Sequence, residues 1–218
     1  MCERVLTTLA VTRSARVRVS AGQEYQNRLM WYKHKKVPEN IFHGKRVLDI
    51  GCGRKKITGA IGLDLIALPG VDVVADLNRR LPIKDNEFDA VYADQVLEHV
   101  ENLIGLVYEV HRILKPGGIF LGHVPYFRSS WAHIDPTHVR SFTLSTMDYF
   151  VKSKYCYEGY RFRDEAFSDI EVFIDSDYPS TLLRRLFTSI ALRYPFRFEN
   201  SVLSNLYVFE QVSYLLRK

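Results

Sequence analysis

Along this chain, short unbroken apolar runs alternate with stretches in which apolar residues recur every three or four positions, the periods of strand and helix respectively. Strand-like runs occupy 45–50 (KRVLDI), 60–65 (AIGLDL), 71–77 (VDVVADL), 88–93 (FDAVYA), 119–124 (IFLGHV), 169–174 (DIEVFI) and 206–217 (LYVFEQVSYLLR). Between the fourth and fifth, Val96, Val100, Leu103, Ile104, Val107, Val110 and Leu114 repeat at helical spacing until the KPGG of 115–118 stops them. Helices are also expected over 22–37, ended by Pro38, over Leu144–Val151 behind Thr143, and from near Pro179 onward. In the last of these, Leu182, Leu183, Leu186, Phe187 and Ile190 form a stripe expected in the core, with Arg184, Arg185 and Arg193 on a solvated face. A lipid-facing surface is the alternative for that stretch. The alternation predicts an α/β architecture with seven strands in one open sheet.

The spacing between the first two strands narrows the choice of ligand. Only Gly51 to Gly59 separate them, fewer than the dozen or so residues of a helical crossover, so the helices after strands one and two are expected to be short or missing. Gly51 and Gly53 place bare backbone at the carboxyl edge of the sheet, where open α/β sheets bind ligands. A dinucleotide motif would need a third glycine where Lys56 stands and a helix amino end for the pyrophosphate. A ligand with an adenosine but no phosphate loses little by their absence. Asp64 and Asp76, at the ends of strands two and three, are placed to accept from ribose hydroxyls and from an adenine amino group, and Asp94 follows strand four in the same layer. Strand-end carboxylates also serve simply as loop formers.

These segments resemble a known family. VLDIGCG, GLDL, ADLNRRLPIKDNEFDAV, VLEHVENL and EVHRILKPGG, in that order within 46–124, look like the successive motifs of class I S-adenosylmethionine-dependent methyltransferases, in particular the small-molecule branch. The resemblance implies a Rossmann-like, mostly parallel seven-stranded sheet with an antiparallel last strand, and S-adenosylmethionine as cofactor. It implies that Asp49, Gly51, Cys52 and Gly53 lie by the methionine part, that Asp64 and Leu65 take the ribose, that Asp76 and Leu77 meet the adenine, and that Asp94 and Gln95 lie near the methionine end. Lys55 stands where the family has its third glycine, so Arg54 or Lys55 pairing with the cofactor carboxylate is set against an exposed loop charge.

Methyl transfer needs alignment of nucleophile and methyl, with a base only where the acceptor must lose a proton. The acceptor pocket is expected in the segment 125–164. There His133, Asp135 and His138 form the candidate catalytic set, a base with an orienting carboxylate, walled by Tyr126, Phe127 and Trp131 beside Arg140. The competing reading is a loop turned around Pro136 by Asp135 and Thr137, its histidines serving backbone groups. His99, beside Glu98, is a second candidate base, set against a role in starting the helix. A metal site is not expected, because local spacing inside a proline turn works against convergence.

Composition adds limits. The 218 residues carry 47% hydrophobic positions, enough for one domain, 1–218, in which 1–40 caps the sheet. That segment or a second subunit, making a homodimer, is expected to cover strands two and three. Net charge is +5, but the basic residues make no aromatic-interleaved tract, and the end of strand four reads YADQVLEH rather than a base-amino methylation motif, so no nucleic-acid partner is expected. Cys2, Cys52 and Cys156 pair in no Cys-x-x-Cys unit, and no long apolar run suggests membrane insertion, so the chain reads as cytoplasmic. The expected function is methyl transfer from S-adenosylmethionine to a small-molecule, glycan or lipid-precursor acceptor. The alternatives are a non-catalytic nucleoside-binding protein on the same fold and a dinucleotide-dependent oxidoreductase.

Overall fold

The structure, a computed structural model, describes residues 36–154, 165–175 and 181–218. Strands β1 (Val47–Ile50), β2 (Ile61–Asp64), β3 (Val73–Val74) and β4 (Phe88–Asp94) precede helix α1 (Leu103–Ile113) and strand β5 (Leu114–Pro125). The short helix α2 (Trp131–Ile134), a 3₁₀ helix at Thr146–Phe150 within the helix expected over Leu144–Val151, strand β6 (Asp169–Ile174), helix α3 (Leu182–Arg193), the short helices α4 (Pro195–Glu199) and α5 (Leu203–Leu206) and strand β7 (Gln211–Arg217) follow among the described residues. Seven strands form one sheet in the order β3-β2-β1-β4-β5-β7-β6. The first five run parallel, and β7 lies antiparallel between β5 and β6.

The crossovers β1–β2, β2–β3 and β3–β4 contain turns and no helix, as the short spacing predicts. Polar side chains close them instead. Asp49 Oδ2 accepts from Ile57 N at 2.8 Å, and Asp72 Oδ2 accepts from Gly62 N and from Lys56 Nζ, both at 2.7 Å. The strand expected at 71–77 is therefore only two residues long. Asp72 on one side and Asp76, which accepts from Asn78 N at 2.9 Å, on the other turn the chain out of the ladder.

The helix expected from Val96 to Leu114 is divided. Leu97–His99 form a single turn of 3₁₀ helix, Val100 is extended, and α1 begins only after Asn102, whose side chain accepts from Gly105 N at 3.0 Å. The side-chain cap satisfies a free amide that a continuous helix would have bonded to backbone, so the cap wins and the 96–100 segment is released. One further expectation changes. The closing strand starts at Gln211, because Leu203–Leu206 are helical. Helix α3 starts at Leu182 behind Thr181, whose hydroxyl accepts from Arg184 N at 3.2 Å; Pro179, near which the sequence predicts its start, lies outside the described residues.

One face of the sheet carries the main core, in which Leu48, Ile50, Val91, Phe120 and Tyr214 meet Leu106, Val107 and Val110 of α1. Among the described residues the other face is covered more thinly. There Val47, Ala90, Ile119, Leu121, Phe173 and Leu215 are covered in part by Val37, Ile41 and Phe42. Part of the apolar stripe expected to pack α3 faces outward, with Leu182 85% and Leu183 and Leu186 each 55% exposed, while Phe187 and Ile190 pack against the core as expected. The buried residues of that helix are Thr188, Ala191 and Leu192. Arg184, expected in solvent, reaches inward to donate to Tyr207 Oη at 2.9 Å, while Phe187 stacks on Tyr207 at 4.9 Å. That pair rotates the helix away from the orientation its leucines suggest.

Val74, Leu65 and Ile66 are exposed at the β2–β3 edge. The cap expected at 1–40 and the helix at 22–37 fall almost wholly outside the described residues, as do 155–164 of the expected acceptor segment. No described helix is long and apolar enough to cross a membrane.

Candidate active site

The carboxyl edge of β1 and β2 is organised by backbone geometry. Gly51 and Gly53 both have positive φ, 66° and 51°. For Gly51 the cause is packing as well, since a Cβ there would stand 2.3 Å from Val96 Cγ2. A Cβ on Gly53 would meet nothing within 4 Å, so the space over that residue is open. Gly53 N donates to Asp64 Oδ2 at 2.9 Å, and Ile66 N donates to Oδ1 at 3.1 Å. Each oxygen of Asp64 thus keeps a second acceptor site for a diol, with exposed Leu65 beside it.

Asp76 accepts from Asn78 N and Nδ2, hydrogen bonds that hold its carboxyl below the usual carboxylate range, with Arg79 adding to them. Leu77 is buried next to it. Asp49 is 2% exposed, and burial, aided by the charge of Asp94 and opposed by the Ile57 amide, pushes its carboxyl up to about 6. Cys52 is buried, and that burial, with the charges of Asp49 and Asp64, pushes its thiol up, which makes it an inert packing group. Lys56 crosses the gap and is spent on Asp72, while Arg54 and Lys55 are exposed. Gln95 follows Asp94 with a positive φ of 51°, held by its N–H to His123 O at 2.9 Å and by Nε2 to Gln211 Oε1 at 3.2 Å.

On the acceptor side the set read from the sequence lines one cavity, but its side chains make no hydrogen bond to one another. His133 Nε2 is 3.0 Å from Phe127 O, and Asp135 Oδ1 accepts from Thr137 N and Thr137 Oγ1 at 2.8 and 2.6 Å. Asp135 therefore forms a turn and does not orient His133 or His138. His138 instead faces Glu98, its Nε2 at 3.9 Å from Oε1, and its ring meets that of His99 edge-on with centroids 4.6 Å apart. Thr137 Oγ1 also lies 2.9 Å from His99 Nδ1. The 3₁₀ turn after β4 and the segment after β5 are thus brought together, and Val139 N donating to Glu98 O at 2.9 Å and Arg140 Nη2 donating to Val100 O and Glu101 O tie the backbones. A cavity of about 300 Å³ is lined by His133, Asp135, His138 and Arg140.

Glu98 is the residue that sequence reasoning undervalued. It is 1% exposed, and burial, with the charges of Asp94 and Asp135 behind it, pushes its carboxyl up to about 7. The signal was a carboxylate set between Leu97 and Val100, both buried, where an acid has no solvent to face.

Residues 66–122 match a family model described as a methyltransferase domain. A sterol 24-C-methyltransferase of Schizosaccharomyces pombe is 35% identical over 101 residues, which cover 35% of this chain and 27% of that protein. The matched stretches span about 27% to 39% of the first four curated relatives, so the chain covers well under half the length of each. Among solved structures, a SAM-dependent methyltransferase from Archaeoglobus fulgidus superposes with a TM-score of 0.53 at 19% identity, covering 81% of this chain and 88% of that one. A Haemonchus contortus phosphoethanolamine N-methyltransferase 2, in complex with S-adenosyl-L-methionine, superposes at 0.50 and 17% identity, covering 86% of this chain and 50% of that one. The shared fold is the one the sheet order describes.

Proposed function

We propose that this chain, a class I methyltransferase by its fold and by its matched segment at 66–122, transfers a methyl group from S-adenosylmethionine to a small-molecule, glycan or lipid-precursor acceptor. The observation that carries the reading is the Asp64 carboxylate, oriented by Gly53 N and Ile66 N with one acceptor site left on each oxygen, beside the open space over Gly53. S-adenosylmethionine supplies a sulfonium-bound methyl group, which leaves to a nucleophile in line without further activation.

Asp64 takes the ribose hydroxyls, with Leu65 against the sugar. Asp76 and Leu77 meet the adenine. The backbone of Gly51, Cys52 and Gly53 lies against the methionine part, over Asp49, and Asp94 and Gln95 meet its end. The residues leave no helix amino terminus at the turn for a pyrophosphate, which sets a dinucleotide aside. Of the candidate catalytic residues His133, Asp135 and His138, the geometry favours His138, the one that faces the buried Glu98, for the acceptor side. His133 and Asp135 are positioning residues of the same loop. A lipid-precursor acceptor is in keeping with the sterol methyltransferases among the relatives.

A calorimetric titration tests the reading. S-adenosylhomocysteine should bind saturably and a nicotinamide dinucleotide should not; binding of neither would sink it. Screening methyl transfer from labelled cofactor onto sterol, glycan and small phenolic or amine acceptors then identifies the acceptor class.

A further inference from the structure

A second site is written in the protonation states of two histidines. His138 Nδ1 lies 3.3 Å from the carbonyl oxygen of Ala132, which can only accept, so Nδ1 carries the proton. Thr137 Oγ1 gives its hydrogen to Asp135 Oδ1 at 2.6 Å, so toward His99 Nδ1, 2.9 Å away, it accepts, and that nitrogen too is protonated. In each ring the tautomer that these bonds select carries its lone pair on Nε2. A histidine whose Nδ1–H is held by a backbone carbonyl, or by a hydroxyl backed by a carboxylate, is the usual arrangement of a metal ligand.

The third member is Glu98. Both of its carboxylate oxygens are buried with no hydrogen-bond partner, and Oε1 lies 3.9 Å from His138 Nε2. One donor atom each from Glu98, His99 and His138 lies within 4.8 Å of the other two. A buried carboxylate without a partner is costly, and a proton or a shared cation lifts that cost. Of the two, the cation also engages the imidazole nitrogens gathered beside it. Two imidazoles and one carboxylate suit a divalent first-row ion of the zinc class better than magnesium or calcium, which prefer an all-oxygen shell.

We infer that Glu98, His99 and His138 form a divalent transition-metal site that joins the turn after β4 to the segment after β5. Asp135 and Thr137 then act from behind His99, and the Ala132 carbonyl from behind His138. A set of three protein ligands leaves a coordination position open. If the methyl-transfer reading holds, an acceptor hydroxyl bound there loses its proton more readily, and His138 serves as a ligand rather than as the base.

The test uses the full chain, stripped with chelator and reloaded with Zn²⁺ or Co²⁺ alone. About one equivalent should remain after gel filtration, the melting temperature should rise with metal, and the Co²⁺ form should show visible absorption of a low-coordinate nitrogen and oxygen site. E98Q and H138Q should each weaken Zn²⁺ binding by about tenfold or more. E98Q removes the buried charge, so it remains foldable and keeps the comparison sound. Retention of less than a tenth of an equivalent, or affinity unchanged in both variants, would overturn the site. S-adenosylhomocysteine titrated into the same metal-free protein reports on the methyltransferase reading separately, because no proposed metal ligand belongs to the cofactor set.

Discussion

The two polar regions at the carboxyl edge of the sheet are built in opposite ways. Around β1 and β2 every carboxylate is held by a backbone amide close in sequence: Asp49 by Ile57, Asp64 by Gly53 and Ile66, Asp72 by Gly62, Asp76 by Asn78. Around the end of β4, Glu98 receives no hydrogen bond from another residue, and its neighbour His138 comes from the far side of β5. The first region is preorganised by its own turns and can receive a neutral diol without rearrangement. The second is underdetermined as protein alone and gains most from something bound. An acid near an amide is a finished structure; an acid near two lone pairs asks for a cation or a proton.

The largest effects should come from the preorganised region. Replacing Asp64 with Ala removes the carboxylate proposed to take the ribose and should weaken S-adenosylhomocysteine binding about a hundredfold, measured by calorimetry. Affinity within threefold of the parent would remove the residue from its assigned role, and with it the premise that this region is the built one.

Gly51→Ala sets a Cβ 2.3 Å from Val96 Cγ2 at a φ of 66°, and should cost about 2–4 kcal/mol in chemical denaturation. Adding Val96→Ala should restore only a fraction of the loss, because the Cβ it keeps would still stand 2.7 Å from the new one, and the part due to the backbone stays. If G51A is as stable as the parent, the turn is more pliable than the comparison assumes.

Asp49→Asn sharpens the contrast through pH. The folded carboxyl sits at about 6 against an ordinary value of 3.8, so the folded state holds its proton longer than the unfolded chain does. Stability is therefore greatest below the lower value and declines as pH rises from about 4 to about 6, with a full cost on the order of 2–3 kcal/mol above that window. The asparagine keeps an acceptor for Ile57 N without the charge. D49N should be more stable than the parent at pH 8 and no more stable at pH 4, as read from denaturant midpoints. Equal gains at both pH values would show that burial of charge is not the cause. The same change should weaken cofactor binding, the usual exchange of stability for a working site.

The smallest effect belongs to a third region. Leu182→Ser with Leu186→Ser on the outward face of α3 should change stability by less than about 0.5 kcal/mol, whereas Ala191→Ser on its buried face should cost more. A large loss in the leucine variant would mean that this face is covered in the folded protein.

Much of the fold can be read in one dimension because its determinants are local. The run Val47–Ile50 ending at a glycine turn and the nine residues before Ala60 are recognised from neighbours along the chain; the Asn102 cap is local too, but the apolar spacing from Val96 to Leu114 runs across it without a break. The α3 stripe misled for a different reason. Leucine spacing says that a helix has an apolar face, but Arg184 on Tyr207 and Phe187 stacked beside it decide which face turns in.

The sequence by itself determined the order of strands and turns, the helix-free crossovers and the row of acids at Asp49, Asp64 and Asp76, because each depends on spacing and on hydrogen bonds made within a few residues. Tertiary structure alone decided that His138 leaves Asp135 and His133 for Glu98 and His99. The candidate triad was assembled from neighbours in the chain, but a turn around Pro136 spends Asp135 on Thr137 and points His138 across the sheet edge. Side chains forty positions apart meet there because parallel β4 and β5 end side by side, a fact of sheet register that no local spacing contains.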